Sequence, residues 1–136
     1  MGLVYSEITL KNLEDKILAN RGFIKEQEVR SMTLTAMVDT GAWTLVINED
    51  IRKKLGLPLT GAEPGTLADG KKSYYEMAGP MEIWWKNRRF VLEALVIPTA
   101  NEILLGALPL EAMDLIVDPR NEELVGAHGD TILHRV

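Results

Sequence analysis

Apolar and polar residues alternate along much of this chain, and a period of two marks strands buried on one face. Val4 to Leu10 alternates in this way and predicts a first strand. In Ser31 to Val38, Met32, Leu34, Ala36 and Val38 fall on one side and Thr33, Thr35 and Met37 on the other, and the run leads straight into Asp39. Thr44 to Ile47 predicts a short return strand. Further strands are expected at Ser73 to Ala78, Met81 to Trp85 and Phe90 to Ile97, with Lys86-Asn87-Arg88 as a turn and Pro80 and Pro98 marking strand limits. Asp69-Gly70 is a two-residue hairpin signal. Helical patterning occurs in two places. Asn48 caps a helix with Glu49 and Asp50 in its first turn, Ile51 and Leu55 on its inner face and Gly56 past its end, and Ala107 to Met113 reads as a second short helix. The charged stretch Asn12 to Glu28 reads as a polar hairpin or excursion, and Pro58 to Gly65 as a loop. Many short strands and two short helices predict an all-β fold, a partly closed barrel.

Composition narrows the function classes. With 136 residues, 46% of them hydrophobic, residues 1–136 are expected to form a single domain around its own core. A net charge of −5 supplies no basic footprint for phosphates, so no nucleic-acid partner is expected. No apolar run approaches the ~18 residues needed to cross a bilayer, and the first residues carry an early charge at Glu7 without an apolar leader, so a cytoplasmic protein with no membrane partner is the default expectation. The chain has no Cys and only two His, His128 and His134. A disulfide framework, a zinc–thiolate site and a Cys nucleophile are thereby excluded, no metal or other cofactor is expected, and any hydrolysis falls to carboxylates or hydroxyls. Both His lie in a polar C-terminal segment and read as surface residues. Arg88-Arg89 reads as part of a solvated turn, and Trp84 and Trp85, being adjacent in a strand, point to opposite faces.

One carboxylate stands apart. Asp39-Thr40-Gly41-Ala42 follows the strand that ends at Val38, where a half-buried strand turns into a loop that Gly permits, a setting suited to acid–base work. Well downstream, Ile103-Leu104-Leu105-Gly106 is an apolar strand closed by Gly and followed by the Ala107 to Met113 helix. Asp-Thr-Gly-Ala at a strand end, then apolar-apolar-Gly before a short helix, resembles the single-domain, retropepsin-like aspartic proteases. The resemblance spans roughly Met32 to Asp118. It implies a retropepsin-like, partly closed barrel that works as a homodimer, with Asp39 as the catalytic residue and a peptide or protein as substrate. It also implies that Thr40 hydrogen-bonds across the dimer axis, that Gly41 lets substrate backbone approach, that Ala42 occupies the usual next position, and that Leu105-Gly106 passes beside the Asp loop. Trp43 and Thr44 then stand where retroviral members carry small or acidic residues. For the flap, Ala68, Asp69 and Gly70 are preferred over Gly79-Pro80, because the Leu67 to Tyr75 stretch falls between the first helix and the apolar-Gly strand.

The chemistry fits that expectation. Cleaving an amide without metal or covalent nucleophile needs one group to activate water and another to protonate the carbonyl oxygen, and two carboxylates sharing a proton do both. The chain holds one Asp-Thr-Gly, so the second carboxylate must come from a symmetry mate. A rival reading keeps the fold without turnover, as a non-catalytic peptide-binding or dimerisation module.

Overall fold

The computed structural model of the chain describes residues 2–66 and 69–132; Ala68, among the expected flap residues, and His134 lie outside them. The elements run β1 (Tyr5–Asn12), α1 (Leu13–Asn20), a single 3₁₀ turn at Glu26–Glu28, β2 (Ser31–Val38), β3 (Val46–Ile47), α2 (Glu49–Leu55), β4 (Leu59–Thr66), β5 (Lys72–Trp85), β6 (Arg88–Val96), β7 (Leu104–Leu105), α3 (Ala107–Ala112), β8 (Leu115–Asp118) and β9 (Glu123–Gly126). The fold is all-β. Seven strands form one sheet in the order β1-β2-β7-β3-β6-β5-β4, and β1 also pairs with β5, so the sheet curls back on itself into an incomplete ring. β8 and β9 form a separate two-stranded ribbon.

The alternation seen in the sequence is what closes this ring. Along β2, Ala36 is buried and Met32, Leu34 and Val38 are half-buried, whereas Ser31, Thr33 and Thr35 face solvent. Leu10 of β1, Leu45 and Ile47 around β3, Leu55 of α2, Met81 and Ile83 of β5 and Leu105 of β7 are all fully buried and fill the interior. α2 forms as its caps dictate. The Asn48 side chain accepts from Ile51 N at 2.9 Å, and Gly56 ends the helix at φ 64°, in the left-handed region that a Cβ disfavours.

Three expectations change. The Asn12 to Glu28 segment contains a helix, α1, which makes three α-helices rather than two. Its cap is Asn12, whose Oδ1 accepts from Asp15 N at 3.0 Å while its buried Nδ2 donates to Leu55 O at 2.8 Å. One of the charges that made the segment look solvated is buried: Asp15 accepts from Arg30 Nε at 2.8 Å and Nη2 at 2.9 Å, just beyond the segment. Second, the Pro58 to Gly65 loop is largely β4, which pairs antiparallel with β5 from Leu59↔Ala78 to Thr66↔Lys72. Its polar, Gly- and Pro-containing sequence has no alternation because every residue of this edge strand lies at least partly in solvent. Third, Ser73–Ala78 and Met81–Trp85 are one continuous strand, with a register irregularity between Ala78 and Met81 that absorbs Pro80 instead of ending at it.

Arg88 is also corrected. Rather than lying in a solvated turn it is buried, and its Nη1 donates to Met113 O at 2.9 Å and Asp114 O at 2.8 Å, which ties the start of β6 to the end of α3. Trp85 is buried and donates to Ser6 Oγ at 2.9 Å, while Trp84 is half-buried on the other face with the Lys11 and Lys16 ammonium groups 5.4 and 5.2 Å from its ring centre. Among the described residues no helix is long and apolar enough to cross a membrane.

Candidate active site

Asp39 sits one residue beyond the end of β2, and the strand that positions it is built from distant sequence. β7 lies between β2 and β3, pairing parallel with Met37 and Val38 and antiparallel with Val46. That insertion clamps the loop joining β2 to β3 at both ends. Asp39 N donates to Leu105 O at 3.0 Å on one side, and Ala107 N and Leu108 N donate to Ala42 O and Trp43 O, each at 2.9 Å, on the other. Within the loop, Gly41 N donates to Asp39 Oδ1 at 2.9 Å and Ala42 N to Asp39 O at 3.1 Å, so the carboxylate is aimed by its own turn.

Gly106 is what lets these two segments meet. A Cβ at this position would lie 2.6 Å from Ala42 O, 2.9 Å from Thr44 N and closer still to Thr44 O, all backbone atoms with no freedom to retreat. Leu105 is fully buried beneath the loop. The Leu105-Gly106 pair and the Asp39 to Ala42 tetrapeptide, far apart in the chain, therefore form one local structure. Asp39 is half-buried, whereas Thr40 and Gly41 are exposed.

The carboxylate faces a cleft of about 560 Å³. Its floor is Asp39, Gly41, Ala42, Trp43 and Thr44; Val46, Leu95, Ile97 and Leu104 make an apolar wall; Gly65, Thr66 and Tyr75, from the arms of the β4–β5 hairpin, close the remaining side. The hairpin turn contains Asp69 and Gly70, with Gly70 at φ 83° and Lys71 N donating to Asp69 Oδ1 at 2.9 Å. Gly79 and Pro80 do not line the cleft; they lie in the sheet, at the irregularity opposite β6. Among the described residues that line the cleft, only Asp39 is charged. No group of three or more His, Asp or Glu among the described residues is placed to hold a metal ion.

The sequence model of the aspartyl protease family matches residues 26–108, a span that holds the Asp39 loop, the hairpin, β7 and the start of α3. The chain belongs to the retropepsin-like aspartyl proteases. No curated protein matches it. The cleft brings together the chain's Asp-Thr-Gly loop and the arms of its β4–β5 hairpin. Its walls were not evident from sequence: Tyr75 and Leu95 belong to strands whose alternation says which face is buried but not which loop that face will meet, and Thr66 belongs to a strand with no alternation at all. Thr44 was read as strand, yet it is a fully buried residue of the loop that leads into β3.

Proposed function

We propose that this protein is an aspartic endopeptidase that acts as a homodimer, with Asp39 from each chain meeting at a twofold axis. The observation that carries this reading is an Asp-Thr-Gly carboxylate at the floor of an otherwise uncharged cleft roofed by a hairpin, in a chain of the aspartyl protease family. In the pair, one Asp39 carboxylate takes a proton from a water molecule as the water oxygen attacks the peptide carbonyl carbon, and the protonated Asp39 of the second copy gives its proton to the carbonyl oxygen. Collapse of the tetrahedral diol breaks the C–N bond, with a proton passing to the leaving nitrogen and the pair restored to one shared proton. The loop offers a surface for such pairing. Trp43 is 53% and Leu108 40% exposed, and Leu108 N donates to Trp43 O, so the Asp39 loop and the start of α3 bring two exposed, large apolar residues together.

The experiment is cleavage of denatured casein by the purified protein from mildly acidic to neutral pH, alongside Asp39→Asn. The wild type should cut and sediment as a dimer; the variant, near-isosteric, should keep its circular dichroism and its dimer and lose all cleavage. Cleavage that persists in Asp39→Asn, or a wild type that stays monomeric at about 100 μM while active, contradicts the dyad. A wild type that dimerises and binds casein peptides but never cuts them identifies the non-catalytic module instead.

A further inference from the structure

Helix α3 is six residues long, too short to hold its shape by propensity, and remote groups tie down both of its ends. At its start, the N–H groups of Ala107 and Leu108, which have no partner within a helix, donate to Ala42 O and Trp43 O of the Asp39 loop, each at 2.9 Å. At its end, the carbonyls of Met113 and Asp114 accept from one nitrogen, Arg88 Nη1, at 2.9 and 2.8 Å. The helix is a short rod with the Asp39 loop on one end and a guanidinium on the other.

Arg88 is built into the interior. It is 4% exposed, its Nη2 donates to Gly129 O, and the Asp114 carboxylate lies 3.9 Å from Nη1. Gly126 makes the room: a Cβ there would lie 2.9 Å from Arg88 Cζ and closer still to Nη2 and to Gly129 O. Taking a guanidinium out of water is costly, and an apolar side chain of similar volume would fill the same space at no loss of stability. What an apolar residue could not do is set direction. The planar fork fixes where the carbonyls of Met113, Asp114 and Gly129 stand relative to one another. Arg88 also opens β6, the strand that gives Leu95 to the wall of the cleft near its far end. One side chain thus joins the floor of the cleft, through α3, to its wall, through β6.

We infer that Arg88 is a positioning residue for Asp39: it holds α3 where Ala107 and Leu108 fix the Ala42 and Trp43 carbonyls, and with them the turn that aims the carboxylate. Arg88 itself does not line the cleft. This rests on the cleft being the site of the proposed endopeptidase.

The test compares Arg88→Lys, which keeps the charge and loses the fork, with Asn12→Ala, which breaks a buried tie that involves neither α3 nor the Asp39 loop. Cleavage of the best-cut peptide of a casein digest is measured at a temperature where both variants are folded. Fluorotryptophan labelling adds one fluorine resonance each for Trp43, Trp84 and Trp85. Arg88→Lys should lower kcat about tenfold, short of the ~100-fold that a misplacement of about 1 Å can cost, with KM unchanged. It should also move the Trp43 resonance, whereas Asn12→Ala should change neither kcat nor Trp43. Trp85, whose ring centre is 5.9 Å from Arg88 Cζ, reports only the local change. Wild-type kcat in Arg88→Lys, or equal effects of the two variants on kcat and on Trp43, overturns the inference and leaves the Asp39 chemistry untouched. If Arg88→Lys does not fold, Gly126→Ala, which displaces the guanidinium without removing it, takes its place with the same outcomes. If the wild type cuts nothing, the endopeptidase reading has failed and the Trp43 resonance decides alone: a shift confined to the Arg88 variant upholds the tie to the loop, and no shift rejects it.

Discussion

At the scale of single residues, the site depends on a missing Cβ as much as on a carboxylate. Asp39 is the carboxylate of the cleft, but the loop presenting it is shaped by Gly106, where backbone from two remote segments packs at distances no side chain tolerates. Gly106→Ala should therefore destabilise the protein by about 3 kcal/mol, the upper end of overpacking costs, because the atoms it strikes are main chain. Urea unfolding measures this, and a midpoint equal to that of the wild type would mean that the loop can give way. Gly41 differs in degree. A Cβ there would meet only Asp39 Oδ1, at 3.2 Å, so Gly41→Ala should disturb the aim of the carboxylate more than the stability of the fold.

At the scale of elements, α1 and the β4–β5 hairpin show two ways of building on weak local patterns. α1 is eight residues long, too short to persist by propensity, and it is held by Asn12 below it and the Asp15–Arg30 pair beyond it. Asn12→Ala removes a cap and leaves Leu55 O without its buried donor, so a loss of about 2 kcal/mol is expected. Thermal melts against an exposed control such as Asn20→Ala would check it. The hairpin is the opposite case. Its strands pair from Leu59↔Ala78 to Thr66↔Lys72 with one register irregularity between Leu59 and Gly61, yet β4 contributes no buried side chain. Amide exchange should accordingly be faster in β4 than in β2, whose ladder with β1 runs from Ser31 to Met37 in the sheet's interior.

At the scale of the molecule, two buried carboxylates tie stability to pH. Burial alone would push Glu82 up, but hydrogen bonds from Lys16, Arg89 and Trp84 outweigh it and hold its carboxyl below the ordinary 4.5. The Arg30 side chain likewise holds Asp15 below its ordinary 3.8. Groups depressed in the folded state contribute stability that is present above the unfolded values and is lost as pH falls through the folded ones. The melting temperature should thus be flat from neutral pH to about 5 and drop steeply below about 4. Glu82→Gln should lower it at neutral pH and flatten part of the acid slope; an unchanged slope would show that Glu82 gains nothing from its partners. Assembly belongs to the same scale. If Trp43 and Leu108 bury each other's counterparts across a twofold axis, Trp43→Glu should weaken dimerisation at least about tenfold by sedimentation, with monomer stability preserved because the side chain is half exposed.

What this sequence determined by itself was whatever depends on neighbours in the chain. Alternation set the faces of β2, Asn48 and Gly56 set the ends of α2, and Asp39 to Ala42 together with Leu105-Gly106 marked the family. Side-chain period and backbone stereochemistry act over a few residues and leave their trace there. The tertiary structure alone decided which remote groups would meet. β4 is strand only because β5 lies beside it; Glu82 is buried only because Lys16, 66 positions away, and Arg89 reach it. Arg88 left a solvated turn because Met113 and Asp114 presented carbonyls to it. The cleft follows the same rule. Asp39 could be found by reading along the chain, but Thr66, Leu95 and Tyr75 join it only when the sheet curls, since burial against a distant partner is a property of the closed fold and not of any local pattern.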